Sequence, residues 1–185
     1  NLSASFSTAQ VVNLATLTTG RYVYRQNVAS VPVVITGVLP AGAKVAIYVD
    51  GNAVIRGGGS ARVGYGDGPW GAVTDVPSLY VIARGDIGIA HDITTLDGQY
   101  IAQHTDAGRG RITTCVNAAT LAPFATDALF LANCRTKLVI NGTFSARKVN
   151  LLRAFSSTRF ATAGESAAAS SASEVFVFTP EVYMG

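Results

Sequence analysis

Asp86, His91, Asp92 and Asp97, with Arg84 close by, are the residues whose types and spacing could do chemistry. Two or three carboxylates, or carboxylates joined by Arg or Lys, converging on one face would suit cleavage of a polysaccharide. The local pattern argues against convergence. These residues lie mostly in turns, where Asp is ordinary turn chemistry. His91 and Asp92 are adjacent, so a strand would send their side chains to opposite faces. The chain holds no GxSxG, no HExxH, no phosphate loop and no calcium-type Asp repeat. Gly57-Gly58-Gly59-Ser60 matches a phosphate loop only in composition, because no helix and lysine follow it. The expectation is a chain without catalytic residues. A polysaccharide-active enzyme is the third reading, behind two non-catalytic ones.

Metal chemistry fares no better. Two histidines and two cysteines, Cys115 and Cys134, supply too few ligands at the wrong spacing for zinc. No metal and no cofactor is expected. The cysteines are either one disulfide or two buried thiols. Export would favour the disulfide, and closing that loop stabilises by about 3 kcal/mol on the chain-entropy model.

The net charge of +3 comes from 14 basic and 11 acidic residues scattered along 185. The densest basic run, Arg135, Lys137, Arg147, Lys148, Arg153 and Arg159, reads as a solvated outer face, and nucleic acid is not expected as a partner. Apolar residues make up 49% and charged residues only 14%, which excludes a disordered chain and favours self-association. No apolar run reaches the roughly 20 residues of a membrane helix. Two aromatics stand apart, Tyr65 and Trp70, in a Gly- and Pro-rich excursion over residues 57–78. They are candidate ligand contacts for a sugar, although Trp70 could equally fold back over the hydrophobic stack.

The elements that must position these side chains are short strands. Leu79–Ile82, Ile87–Ile89, Ile93–Leu96 and Tyr100–Ala102 form a run of them, broken at Arg84-Gly85-Asp86, His91-Asp92 and Asp97-Gly98. The same strand–corner–strand phrase occurs at Asp50-Gly51 and, in fullest form, at Lys137–Arg153 around Asn141-Gly142. Asn-Gly tolerates positive φ, so Asn141 reads as a bend residue although Asn141-Gly142-Thr143 also fits a glycosylation sequon, as does Asn1-Leu2-Ser3. Corners that bend rather than reverse the chain predict an all-β fold, a parallel β-solenoid of short strands with long Gly-rich loops. A β-sandwich is the alternative. A short helix is predicted at Ala118–Ala128, a small-residue loop at Ser156–Ser173, and a last strand at Val175–Phe178.

One domain spans residues 1–185, with an extended, uncharged segment at 1–19 that could pair with a neighbouring subunit. Neither end reads as a cap. Head-to-tail self-assembly is therefore expected, through Phe6, Val11, Val12, Leu14, Phe176, Phe178 and Tyr183. The start at Asn1-Leu2-Ser3 without Met is compatible with removal of an export signal.

The order Cys134, Leu138-Val139-Ile140-Asn141-Gly142-Thr143-Phe144-Ser145-Ala146-Arg147-Lys148-Val149-Asn150-Leu151-Leu152-Arg153, a small-residue loop, then Ser173-Glu174-Val175-Phe176-Val177-Phe178-Thr179-Pro180-Glu181-Val182-Tyr183-Met184 carries a family likeness. Residues 112–185 resemble the C-terminal module of large, mostly uncharacterised surface proteins of candidate-phyla bacteria. That resemblance implies export and the cell surface, and it supplies no catalytic residues. The reading is an exported structural subunit of an extracellular filament or surface layer. A monomeric adhesin or glycan-binding module, with surface glycans as partner, is the alternative.

Overall fold

A computed structural model describes residues 2–6, 10–26, 31–66, 68–103, 108–120, 122–153 and 172–179. Within them Val-, Ile- and Tyr-rich runs form strands wherever apolar and polar residues alternate. In chain order these are β1 (Leu2–Phe6), β2 (Gln10–Asn13), β3 (Gly20–Gln26), β4 (Val33–Thr36) and β5 (Val38–Leu39). Next come β6 (Ala43–Val49), β7 (Ala53–Ile55), β8 (Arg62–Tyr65), β9 (Ser78–Ala83) and β10 (Ile87–Ala90). The last are β11 (Thr95–Ala102), β12 (Arg111–Val116), β13 (Leu138–Ala146), β14 (Lys148–Asn150) and β15 (Glu174–Val177). Helix α1 (Asp127–Asn133) stands between β12 and β13.

The class is β-rich with parallel sheets. One sheet runs β1-β3-β6-β9-β11-β13-β15, with β5 and β8 attached at its side, and the other runs β14-β12-β10-β7-β4-β2. The chain visits the two sheets in turn, and each visit lies parallel to the one before. The ladders between named strands that hold them are parallel throughout. An antiparallel bridge does occur, between Val116 and Pro123, outside the named ladders.

Register turns the strands into columns of like residues. Tyr24, Ile47, Val81, Tyr100 and Phe144 lie one above another on the inner side of the first sheet. Val33, Ala53, Ile87 and Ile112 do the same in the second. Their middle members are fully buried, and each large aliphatic among them gains about 1.5–3 kcal/mol on leaving water.

Corner spacing is irregular because two corners alternate. Asp50-Gly51-Asn52 and Arg84-Gly85-Asp86 stack as one: Gly85 N donates to Gly51 O, and Asp86 N to Asn52 Oδ1. Asp97-Gly98 and Asn141-Gly142 stack as the other. There the chain bends without leaving the ladder, so the two strands predicted at Ile93–Leu96 and Tyr100–Ala102 are one, β11. Steps between stacked partners range from 19 residues (Tyr80 to Gln99) to 44 (Thr95 to Val139). The surplus leaves as excursions, and the strands keep their register.

One of these lies between β12 and β13, and it corrects one expectation. Its helix is Asp127–Asn133 and not Ala118–Ala128, because Thr126 caps it through Oγ1 to Leu129 N (3.3 Å), whereas Pro123 is held in the bridge to Val116. Cys115 is the extra residue of a bulge, between the pairs Ile89–Thr114 and Ala90–Val116, at φ +57°. That bulge turns the side chain out of the main core into a second cluster with Phe130 and Cys134. A disulfide joins Cys115 to Cys134, leaving no free cysteine.

Gly64 shows how tightly the visits stack. It has φ +131°, and a Cβ there would lie 2.6 Å from the Asp97 carbonyl oxygen. Gly64→Ala should lower the unfolding free energy by about 3 kcal/mol or more. Gly66→Ala, where a Cβ meets open space, should change it by under about 0.5 kcal/mol. Urea titration of both variants checks the contrast.

Candidate functional site

The five residues singled out for chemistry do not gather. Each is tied to a neighbouring visit of the chain at its own corner. Arg84 Nη1 meets Asp50 Oδ1 at 2.7 Å. Asp86 accepts from the Arg111 backbone N (2.9 Å) and guanidinium (2.8 Å), and that pairing raises the Arg111 pKa further above the ordinary arginine value. Asp92 Oδ2 accepts from Gly57 N (3.1 Å), which binds the start of the Gly-rich excursion to the ladder. The His91 ring packs edge-on against Phe124 at 5.5 Å. Among the described residues no group of three His, Cys, Asp or Glu side chains could hold a metal ion.

Asp97 is the least solvated acid among the described residues, at 1% exposure. Arg62 grips it with two bonds, Nε at 2.8 Å and Nη2 at 2.9 Å. Asn141 Nδ2 (2.7 Å) and Tyr65 N (3.2 Å) complete the shell. Arg62, Asp97 and Asn141 come from three successive visits, β8, β11 and β13, so this knot stitches one corner along the stacking direction. Tyr100 lies beneath, its hydroxyl donating to Asp97 O at 2.9 Å. Burial, then the Asp97 charge, then Tyr65 push its phenol well above the ordinary value. It stays a neutral donor.

A second polar centre was invisible in the sequence. Arg153, expected on a solvated face, is only 7% exposed. Its Nη1 donates to His91 O (2.8 Å) and Thr136 Oγ1 (2.7 Å), and its Nη2 to Ala90 O (2.8 Å) and Ile93 O (2.9 Å). Arg153 N donates to Glu174 Oε1 (2.9 Å), which also takes a short bond from Thr114 Oγ1. Burial pulls the guanidinium down to about 10, against the attraction of Glu174 and Asp92, so it is still charged at neutral pH. Burial also raises Glu174, against the bonds from Thr114 and Arg153 that favour its anion. Five segments meet here: the 90–93 corner, β12, the α1 excursion, the chain after β14, and the start of β15.

The predicted contact residues divide. Tyr65 is a core residue at 5% exposure, which corrects its placement as a ligand contact. Trp70 is partly buried, with Gly68 close beneath its indole. Val12 (4%) and Leu14 (0%) face the core, so they are not surface contacts, whereas Val11 is 55% exposed. Phe6 lies in β1, and Tyr183 falls outside the described residues, as do Asn1 and Arg159. Phe176 and Phe178 are exposed, at 45% and 76%. No protein-family model, curated protein or solved structure matches this chain. Its site must therefore be read from its own geometry. That geometry holds two buried polar ties, surface ion pairs at the corners, and an exposed apolar end at β15. No helix among the described residues is long and apolar enough to cross a membrane, and the disulfide suggests an oxidising environment.

Two outcomes follow. Asp97→Ala leaves the partly buried Arg62 and Asn141 without their shared acceptor and should cost about 1–3 kcal/mol in urea unfolding. Glu174 has its carboxyl raised in the folded state, so between about pH 4.3 and that raised value the folded chain holds a proton the unfolded chain has released. Stability should therefore fall as pH rises through this window and then level off. Glu174→Gln should remove that fall in a pH series of melting temperatures.

Proposed function

We propose that this chain is a structural module: a parallel β-solenoid, exported, whose copies stack head to tail into an extracellular filament or layer. The observation that carries the reading is the fate of one core column. Leu96 and Ile140 are fully buried, and the next member of the same column, Phe176, is 45% exposed. Its ring stands edge-on to Phe144 at 5.1 Å, which in turn stands edge-on to Tyr100 at 5.9 Å. The hydrophobic column thus runs out of the fold with its last ring half in water.

Strand edges agree with this. Each sheet ends in an open strand on both sides: β1 and β15 in one, β2 and β14 in the other. Among the described residues nothing pairs with those outer edges. Because all the ladders are parallel, the β1 of a second copy can extend the first sheet beyond β15 in the same sense. Such a contact joins two different surfaces, so it propagates instead of closing on itself. Open edges of this kind are otherwise an aggregation liability. The disulfide supports a position outside the cell, and the corner ion pairs fit a scaffold better than a catalytic centre.

Sedimentation velocity and negative-stain electron microscopy over a concentration series test the proposal. Wild type should form filaments or sheets. Phe178→Lys should raise the concentration needed by about tenfold, an interface loss near 1.4 kcal/mol, and Phe176→Asp should abolish assembly while the circular dichroism spectrum persists. A wild-type chain that stays monomeric at millimolar concentration overturns it.

A further inference from the structure

The outer side of the first sheet is a surface that stacking leaves open. Its outward columns are Val23–Ala46–Tyr80–Gln99–Thr143 and Arg25–Tyr48–Ile82–Ile101–Ser145. For a solvent-facing sheet this is unusually poor in charge along its middle. Charge is concentrated at the two ends of the strands. At one end Arg21 and Lys44 are register partners beside a cleft of about 400 Å³. At the other, Arg25 and Arg84 border a second cleft of about 490 Å³.

Among the described residues no carboxylate pairs with Arg21, Arg25 or Lys44. The acid lining these two clefts is Asp50, which already meets Arg84. Arg25 lies over the Tyr48 ring, 5.1 Å from its centre, which fixes the guanidinium at the mouth of its cleft. Arg21 and Arg25 are four residues apart on one strand, roughly 13 Å, with the Val23–Ala46–Tyr80 row between them.

We infer that this face binds an acidic polysaccharide, with successive carboxylates or sulfates held at the two basic ends and the sugar rings laid across the apolar row. Two separated cationic sites select a polymer over a small anion, because one chain can engage both at once. The Tyr48 ring is already covered by Arg25 and so offers no free face to a stacked base, which makes single-stranded nucleic acid the less favoured occupant. The disulfide also suggests an oxidising compartment, where acidic glycans are available. Neither basic end coincides with the β15 end, so this site stands or falls independently of head-to-tail stacking.

The test is calorimetric titration of the full chain with a galacturonate oligomer, a neutral cellulose oligomer of the same length and a thymidine oligonucleotide, at low and high salt. The galacturonate oligomer should bind, about tenfold more weakly in Arg25→Gln and in Lys44→Gln, and more weakly at high salt. Lys148→Gln, exposed on the other sheet, should bind as wild type does. Melting temperatures of all three variants should match wild type, since each side chain is at least partly exposed. Four results overturn the inference: no binding of the acidic oligomer, equal binding of the neutral one, equal or tighter binding of the oligonucleotide, or folded Arg25 and Lys44 variants that bind normally.

Discussion

Every strand in this protein depends on backbone partners that lie a full visit away in sequence. A parallel strand cannot pair with its immediate successor across a tight turn, and here the nearest partner in the ladders is 19 residues on, from Tyr80 to Gln99. The obligatory pairing of buried N–H and C=O groups therefore fixes how the chain must stack, and it leaves the distance between visits free. That is why the step can grow to 44 residues without disturbing Thr95–Val139 or the pairs that follow. Length is absorbed at the corners. The Gly-rich stretch and the α1 excursion are two uses of the same freedom.

What the ladders leave unspecified, buried charge settles. Apolar columns tolerate a slip of one visit, because Val, Ile and Leu are nearly interchangeable along them. Polar ties do not. Asp97 accepts from a cation on β8 and an amide on β13, and Arg153 reaches four acceptors on two separate segments. A shifted chain would leave these groups buried and unpaired, at a cost of several kcal/mol. Such ties add specificity at a point where hydrophobic packing is degenerate.

The sequence carried the strands and the corners because both are local. Asp50-Gly51, Asp97-Gly98 and Asn141-Gly142 announce bends by residue type alone, and Val45–Val49 alternates over its own length. The β-rich class follows from these, and so does the last strand near Phe176. Arg153 was not legible. It sits in a run of basic residues, and nothing nearby signals that three of its four acceptors lie 60 and more residues back at the 90–93 corner. Tyr65 was misplaced for a related reason: a Gly-rich context suggests exposure, yet β8 carries the ring into the core. The helix was shifted because the Thr126-Asp127 capping signal was outweighed by the Ala- and Thr-rich stretch before Pro123. The open face was missed as well, since Arg21, Lys44, Arg25 and Tyr48 become neighbours only through β3–β6 register.

The disulfide acquires a different meaning under load. β1 and β15 lie at opposite ends of the first sheet, so tension between them would strip the chain from its ladders one visit after another. The Cys115–Cys134 bond spans 19 residues, including most of the α1 excursion. At about 3.4 Å per residue it withholds roughly 65 Å of slack. The bulge that turns Cys115 outward thus sets a limit on extension: the slack of the α1 excursion is locked shut, and force passes directly from β12 to β13.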